Sequence, residues 1–259
     1  MERRDLSHPP VDGEARQVGR RDAGDLPARG GLSQSPRWSS SLRRGRMHGA
    51  VVGVYTPAQL AGMSPEEVHA VIVRDLHEDA FERQRRDPVA YKGKNLAERI
   101  ETALYICPVC RAVGALRSHG DSLRCGACGT EAVYTVYGFL EGGFGFDNAL
   151  DWDRWQTAEL RARLGALAPD ETAFSDDGFI LSRIGTGHLS FPVDEGILSA
   201  SRQTLRCGGT VFALADITEM SMFGRVSLVF TAGGEHYELR PAEVKCARKY
   251  LELYKLLQE

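Results

Sequence analysis

Four cysteines in the middle of the chain have the type and spacing of a metal site. Cys107 and Cys110 form one Cys-x2-Cys pair, Cys125 and Cys128 form a second, and 14 residues separate the two pairs. Each pair can aim two thiolates at one point, and two pairs supply the tetrahedral sulfur set that zinc prefers. The spacing predicts a structural Zn²⁺ site, because four protein ligands leave no open coordination position for catalysis.

Two other chemistries compete with zinc for paired cysteines. A thioredoxin-type redox dithiol needs only one pair, and no βαβ pattern surrounds these cysteines. An iron–sulfur site is the second alternative. The N-terminus has no apolar segment after its basic residues, and no apolar run approaches the roughly 18 residues that span a bilayer. We therefore expect a cytoplasmic protein whose thiols stay reduced.

The residues around the cysteine pairs predict a zinc ribbon. Residues 115–117 and 122–124 are expected to form a short hairpin with Gly120 and Asp121 at its turn, and residues 132–137 alternate as a strand does. A segment this small cannot fold alone on its apolar side chains. A structural zinc ion can supply on the order of 10–16 kcal/mol of apparent binding energy to such a segment.

Composition and charge indicate a globular chain with an unusual N-terminus. Charged residues make up 26% and apolar residues 42% of the chain, and the net charge of −3 gives no general reason to expect nucleic acid as a partner. Residues 1–46 hold ten arginines, no lysine and six acids. Because residues 1–35 show no helical or strand period, we predict a disordered arm there.

Capping signals and apolar spacing predict the helices. Ser64 to Glu67 form a capping box with proline at the first helical position, so a helix is expected from 65 to about 86, after one buried strand at Val51 to Tyr55. Further helices are expected to begin at Asn95, near Asp151 and after Pro241. The residues expected to face inward along the first two of these are Leu96, Ile100, Leu104, Trp152, Trp155, Leu160 and Leu164.

The last third of the chain reads as strands separated by glycine turns. Val226 to Thr231 and Glu235 to Leu239, with Gly233 and Gly234 between them, predict a hairpin. Several such strands and one closing helix favour a small β-barrel or β-sandwich capped by a helix. Cys207 in a strand-like run and Cys246 in the last helix are single, and we interpret both as buried small hydrophobic residues.

These patterns together predict a multidomain α+β chain. The predicted parts are a disordered arm at 1–35, a strand–helix segment at 36–104, a zinc ribbon at 105–140, a linker and helix at 141–172, and a β domain with a C-terminal helix at 173–259. The strand–helix segment would expose an apolar face if it stood alone. We therefore expect residues 44–104 to pack poorly or to depend on a partner.

Several segments resemble the C-terminal part of bacterial lysophospholipid (1-acylglycerol-3-phosphate) acyltransferases. Ser35 to Arg46, with the strand and the Ser64 helix that follow, is similar to the end of that catalytic domain. Tyr91 to Glu98, the cysteine ribbon and Phe146 to Gln156 resemble an extension found in some members. The last third resembles a PH-like or GRAM-like module. Over residues 30–259, the resemblance implies a remnant of an acyltransferase domain, a zinc ribbon and a small PH-like β-barrel.

The resemblance implies acyl transfer in phospholipid biosynthesis, yet the catalytic motif of the family is absent. That motif is His-x4-Asp, with histidine as general base, together with a Glu-Gly-Thr-Arg-like loop for the substrate phosphate. The residues five positions after the seven histidines are Gly13, Gly53, Arg74, Glu82, Arg124, Val193 and Pro241. His77 and Glu82 share the spacing but fall in an amphipathic helix. We assign no catalytic residue, and a truncated or misassigned reading frame is a hypothesis that upstream DNA would test.

Three functions follow from these expectations. The first is the non-catalytic C-terminal part of a lysophospholipid acyltransferase, with lysophospholipid and acyl-CoA as ligands of the full-length enzyme at the inner face of the membrane. The second is a zinc-ribbon module for nucleic acid or protein. Arg111, Arg117, His119 and Arg124 give it a mildly basic face, but nearby acids make nucleic acid unfavoured. The third is a peripheral membrane adaptor acting through the PH-like module, whose arginines are scattered, so protein docking is equally expected there.

Overall fold

The computed structural model describes residues 23–25, 28–29, 31–49 and 51–259, which form a mixed α+β chain. The helices are α1 (Gly31–Gln34), α2 (Pro57–Ala61), α3 (Pro65–Leu76), α4 (Ala80–Arg86), α5 (Ala149–Ala166) and α6 (Arg248–Gln258). The strands are β1 (Ala23–Asp25), β2 (Ala28–Arg29), β3 (His48–Gly49), β4 (Gly53–Tyr55), β5 (Leu116–His119), β6 (Ser122–Cys125), β7 (Glu131–Tyr134), β8 (Leu140–Gly142), β9 (Phe174–Ile184), β10 (Ser190–Ala200), β11 (Thr204–Cys207), β12 (Thr210–Ala213), β13 (Ile217–Phe223), β14 (Ser227–Ala232) and β15 (Glu235–Pro241). None of the described helices is both long enough and apolar enough to cross a membrane.

The described residues form two compact units. Unit 1 contains the described residues among 1–29 and 48–78, and unit 2 contains residues 31–47 and 79–259. The segment predicted at 36–104 is therefore divided between the two units. The boundaries predicted further along the chain all fall within unit 2 and stay predictions.

Unit 1 consists of short strand pairs and two capped helices. β1 pairs antiparallel with β4, and β2 pairs antiparallel with β3. α2 and α3 each begin with proline after a capping box, at Thr56 and Ser64. The capping box predicted at Ser64 is confirmed, because its hydroxyl accepts the Glu67 amide while the Glu67 carboxylate accepts the Ser64 amide.

The single helix predicted from 65 to about 86 is wrong. α3 ends at Leu76 because His77 takes an extended conformation, with φ −63° and ψ 123°. A second helix, α4, begins after Asp79, whose carboxylate accepts the amides of Phe81 and Glu82. The apolar period continues across a break that no proline or glycine announces.

One further prediction near the N-terminus is wrong, and a second stays a prediction because most of its residues lie outside those that the structure describes. Of the strand predicted at 51–55, only β4 forms. Val51 and Val52 are exposed, although the prediction placed them in a buried strand. The disordered arm predicted at 1–35 lies mostly outside the described residues. Where the structure describes it, β1 is regular because its backbone groups find partners in β4, and α1 forms one helical turn.

The ribbon hairpin is present as predicted. β5 and β6 pair antiparallel with Leu116 opposite Cys125, and Gly120, at φ +60°, starts the turn between them. β7 and β8 extend the hairpin to a four-stranded antiparallel sheet in the order β5-β6-β7-β8. The alternating stretch predicted at 132–137 forms a strand only as far as Tyr134.

The helix predicted from Asn95 is absent. Asn95 and Arg99 have φ values of 54° and 62°, which lie outside the helical region, and only one 3₁₀ turn follows at Ile100–Thr102. The three residues expected on its inner face are nevertheless buried, because these turns direct them into the core of the ribbon sheet. They are Leu96, Ile100 and Leu104.

Helix α5 forms close to its predicted start. Asn148 caps it by accepting the Asp151 amide at 2.9 Å. Trp152, Leu160 and Leu164 are buried as predicted, while Trp155 is half-buried and packs on the same apolar clusters.

Seven antiparallel strands and α6 form the C-terminal β domain. The strand order is β12-β11-β10-β9-β15-β14-β13, so the first strand lies beside the last. The predicted hairpin is β14 and β15, joined at Gly233 and Gly234. α6 packs against β13, and its Tyr250 and Leu253 enter a core that holds Phe179.

The two single cysteines are buried, as expected. Cys207 ends β11, in agreement with its strand-like context. Cys246 lies in the non-helical segment before α6, so its placement in the last helix is wrong. Its thiol instead donates to the Thr102 carbonyl at 3.1 Å, a contact that fixes it ahead of the helix start at Arg248.

Candidate metal centre

The two cysteine pairs lie in backbone loops of the same design. The Arg111 amide donates to the Cys107 carbonyl at 2.8 Å, and the Gly129 amide donates to the Cys125 carbonyl at 2.9 Å. Arg111 and Gly129 occupy equivalent positions and both have positive φ, at 60° and 77°. In each loop the amide of the first cysteine also donates to the carbonyl five residues later. The chain therefore builds two matching loops, each presenting two sulfur atoms.

The four sulfur atoms converge on one point. All four Sγ atoms lie within 4.8 Å of one another. The Cys107–Cys128 Sγ distance is 3.8 Å and the Cys110–Cys125 Sγ distance is 3.7 Å. Zinc–sulfur bonds of about 2.3 Å in a tetrahedron separate the sulfurs by about 3.8 Å. The predicted ligands thus lie close enough to hold a metal ion, while the identity of that ion stays a prediction.

Burial and hydrogen bonding shift the pKa values of two of these thiols in opposite directions. Cys107 and Cys125 are buried, and Cys110 and Cys128 are exposed. Burial raises the pKa of the Cys107 thiol to about 12. The Thr130 hydroxyl, 3.2 Å from the Cys128 sulfur, and the Thr130 amide lower the pKa of Cys128 to about 6. A metal ion deprotonates coordinating thiols outright, so these four donors fit a soft cation such as zinc.

Helix α5 supports the backbone that leads into the site. Trp152 is fully buried, and its Nε1 donates to the Ile106 carbonyl at 2.9 Å. The buried Gln156 accepts the Tyr105 amide at 2.9 Å through Oε1. Both contacts fix the residues immediately before Cys107, so the first ligand is held by a helix more than forty residues further along the chain.

Ion pairs extend this support to the first cysteine loop. Arg111 Nη1 lies 2.8 Å from Glu159 on α5, and Arg163 of the same helix donates to the Arg111 carbonyl at 2.7 Å. Arg124 pairs with Glu131 across the hairpin at 3.3 Å. Two of the basic groups that gave the ribbon its mildly basic face are therefore partnered by carboxylates.

Sequence reasoning missed three residues that position the site. Thr130 follows the last cysteine by two residues, and a hydroxyl at that spacing is a signal that could have been used. Trp152 and Gln156 were placed in a predicted helix and in the segment that resembles the acyltransferase extension, and Trp152 was expected to face inward. Their contacts with the ribbon backbone depend on how α5 docks, which no local spacing reveals.

Comparison with known proteins finds no match, either among protein-family models or among curated proteins. Within the described part of the chain, the four cysteines are also the one group of three or more potential metal-binding side chains that lie close together. The functional assignment therefore depends on the geometry of this cluster.

Proposed function

We propose that the chain is a zinc-organised binding scaffold whose metal centre is structural. The observation that carries this proposal is the approach of four cysteine sulfurs to within 4.8 Å of one another. Four thiolates fill the tetrahedral shell of zinc and leave no position for water or substrate. Zinc would then contribute to folding and positioning and would not take part in a reaction.

The apolar core beside the cysteines shows which parts of the chain a bound metal would hold in place. Cys107 and Cys125 belong to the same buried apolar cluster as Leu116, Leu123 and Trp152. α5 carries Trp152 at one end and contributes further residues to the core of the β domain at the other. Zinc would fix the ribbon against α5 and, through α5, against the β domain.

The strand order of the C-terminal sheet supports the PH-like assignment. A four-stranded meander, β9 to β12, precedes a three-stranded meander, β13 to β15, and α6 packs over the same core. An open cavity of about 910 Å³ on this domain is bordered by Glu219, Glu238 and Glu235, and Glu235 is paired with Arg183 at 3.3 Å. These carboxylates oppose a phosphate ligand, so docking of a basic protein segment is the better role for this module.

We also propose, on the sequence resemblance, that the scaffold is the non-catalytic C-terminal region of a lysophospholipid O-acyltransferase. Unit 1 supports this proposal, because Val54, Ile72 and Val73 are exposed as they would be in a strand–helix piece of a larger domain. An assay of the chain with lysophosphatidic acid and acyl-CoA is expected to show no turnover. Measurable turnover would reveal an active site that this proposal lacks.

Metal analysis of protein purified without chelator tests the zinc proposal directly. One zinc ion per chain is expected, because the four ligands form one site. Optical spectra distinguish the alternatives, since an iron–sulfur cluster absorbs visible light and zinc does not. Protein that contains iron, or that is folded with no metal, would overturn the proposal.

A further inference from the structure

Two basic-glycine-basic tripeptides lie side by side on unit 2. They are Arg44-Gly45-Arg46 and Lys92-Gly93-Lys94. The Arg44 amide donates to the Lys92 carbonyl at 2.7 Å, and the Lys92 amide donates to the Arg44 carbonyl at 2.8 Å. This exchange makes Arg44 and Lys92 a directly opposed antiparallel pair, whose side chains emerge on the same side of the two segments.

The opposite side of the two segments is anchored in the core. Arg43 is buried and donates to the Leu96 carbonyl, and its guanidinium lies 4.8 Å from the centre of the Tyr134 ring. Tyr91 is buried, and its hydroxyl donates to the Arg46 carbonyl at 2.9 Å. A side chain at Gly45 would come within 2.2 Å of the Tyr91 ring, so neither segment can turn over. The outward direction of the neighbouring cations is therefore fixed.

The outward side concentrates positive charge without compensation. Arg44, Arg46, Lys92 and Lys94 are all exposed. Among the described residues none of the four has a carboxylate within ion-pair distance. Glu98, the acid nearest in sequence to Lys94, accepts a hydrogen bond from the Ser40 hydroxyl at 3.1 Å. We name these four cations the basic face.

We propose that the basic face binds the surface of an anionic phospholipid bilayer. Like charges placed directly opposite each other, as at Arg44 and Lys92, destabilise a strand pair unless an anion lies between or above them. The headgroups of an anionic bilayer supply such charge over a wide, flat area. Leu42 and Met47 lie on either side of the first tripeptide, are 70% and 44% exposed, and can enter the interfacial zone.

The composition of the face distinguishes lipid from nucleic acid. Single-stranded nucleic acid is bound through exposed aromatic side chains as well as cations, and Tyr91, the aromatic residue that directly precedes the second tripeptide, is buried. The face is also open, so it lacks the enclosure that a small soluble phosphate ligand requires. This proposal requires neither the identity of the metal nor the acyltransferase resemblance.

Vesicle flotation with the full chain tests the proposal. Vesicles of phosphatidylcholine mixed with phosphatidylglycerol are expected to carry the protein, and pure phosphatidylcholine vesicles are not. Each cation removed should weaken partition about fivefold, so the double variant Arg44→Gln/Lys92→Gln should lose about 25-fold. Added salt should weaken binding of the parent in the same direction.

A matched variant separates this face from general charge. Arg206→Gln/Arg225→Gln removes the same charge from exposed positions of the β domain and should partition like the parent. Unchanged thermal unfolding of both variants would show that each is folded. Equal losses in the two variants, or failure of the parent to float, would overturn the proposal. So would retention of single-stranded RNA without vesicle binding, which would assign the face to nucleic acid.

Discussion

Unit 1 and unit 2 both combine strands with helices, yet the interactions that stabilise the interior of each unit differ. In unit 1, none of the side chains that the structure describes is buried. Helix caps order its backbone, and a polar cluster of Tyr55, Arg74 and Asp75 joins β4 to α3. Unit 2 contains two extended apolar cores and the four-sulfur cluster.

The difference shows that good local signals do not by themselves make a stable fold. A helix cap contributes about 1 kcal/mol and an exposed ion pair about 0–1 kcal/mol. Full burial of one large apolar side chain contributes about 1.5–3 kcal/mol, and unit 2 buries many of them. We therefore expect the stability of the chain to reside in unit 2, with unit 1 ordered mainly by capping and polar contacts.

The largest effect on stability is expected when the predicted metal ligand Cys110 is replaced. Cys110 is exposed, so Cys110→Ser removes little packing and acts through the metal. We expect the free energy of unfolding of unit 2 to fall by more than about 5 kcal/mol, since structural zinc supplies roughly 10–16 kcal/mol. Denaturant unfolding with and without chelator measures this loss, and chelation should leave the variant unchanged.

Cys207→Ala is the matched control, because Cys207 is buried outside the cluster. This variant should keep its metal and lose only about 1 kcal/mol. If the two variants were equally stable, the four-sulfur cluster would not be what distinguishes unit 2 from unit 1.

The second effect concerns the apolar support of the same site. Trp152→Ala should lower the free energy of unfolding by about 3–5 kcal/mol, because it opens a large cavity and leaves the Ile106 carbonyl without its donor. Zinc content should remain, since the ligands are intact. A loss below about 1 kcal/mol in denaturant unfolding would mean that α5 does not support the ribbon.

The sequence predicted the parts of unit 2 that depend on local spacing. The four ligands lie within one stretch of the chain, and the hairpin turns at Gly120 and Gly233 follow from glycine placement alone. The Gln156–Tyr105 contact spans 51 residues, and no pattern within either segment encodes it. The pairing of β9 with β15 likewise depends on how two distant meanders meet.

In unit 1 the sequence predicted where a helix begins better than where it ends. The capping box at Ser64 is a strong local signal and forms as expected. The break at His77 was missed because the apolar period continues across it, although Asp79 followed by Glu82 is a local signal for the start of α4. The burial expected for Val51 and Val52 assumed a neighbouring core, which periodicity can indicate but cannot supply.

Acid should loosen unit 1 at its polar cluster. Hydrogen bonds from Arg74 and from the Tyr55 hydroxyl lower the pKa of Asp75. A carboxylate with a lowered folded-state pKa stabilises above its unfolded pKa, and that contribution is lost as pH falls through the folded value. Nuclear magnetic resonance titration should show the Asp75 carboxyl and the Tyr55 ring changing together. Asp75→Asn should abolish that step, and independent titration of the two groups would contradict the link between β4 and α3.

The smallest effect is expected on the exposed apolar face of α3. Ile72 is 41% exposed, so Ile72→Ser should change the free energy of unfolding by less than about 0.5 kcal/mol, as at other surface positions. Leu160→Ala in unit 2 should lose about 2–5 kcal/mol in the same measurement, because Leu160 is buried. Hydrogen exchange resolves the two units separately and can show where any loss falls. A loss at Ile72 comparable to that at Leu160 would mean that the face is covered in solution, and the contrast between the units would then reflect a missing partner surface.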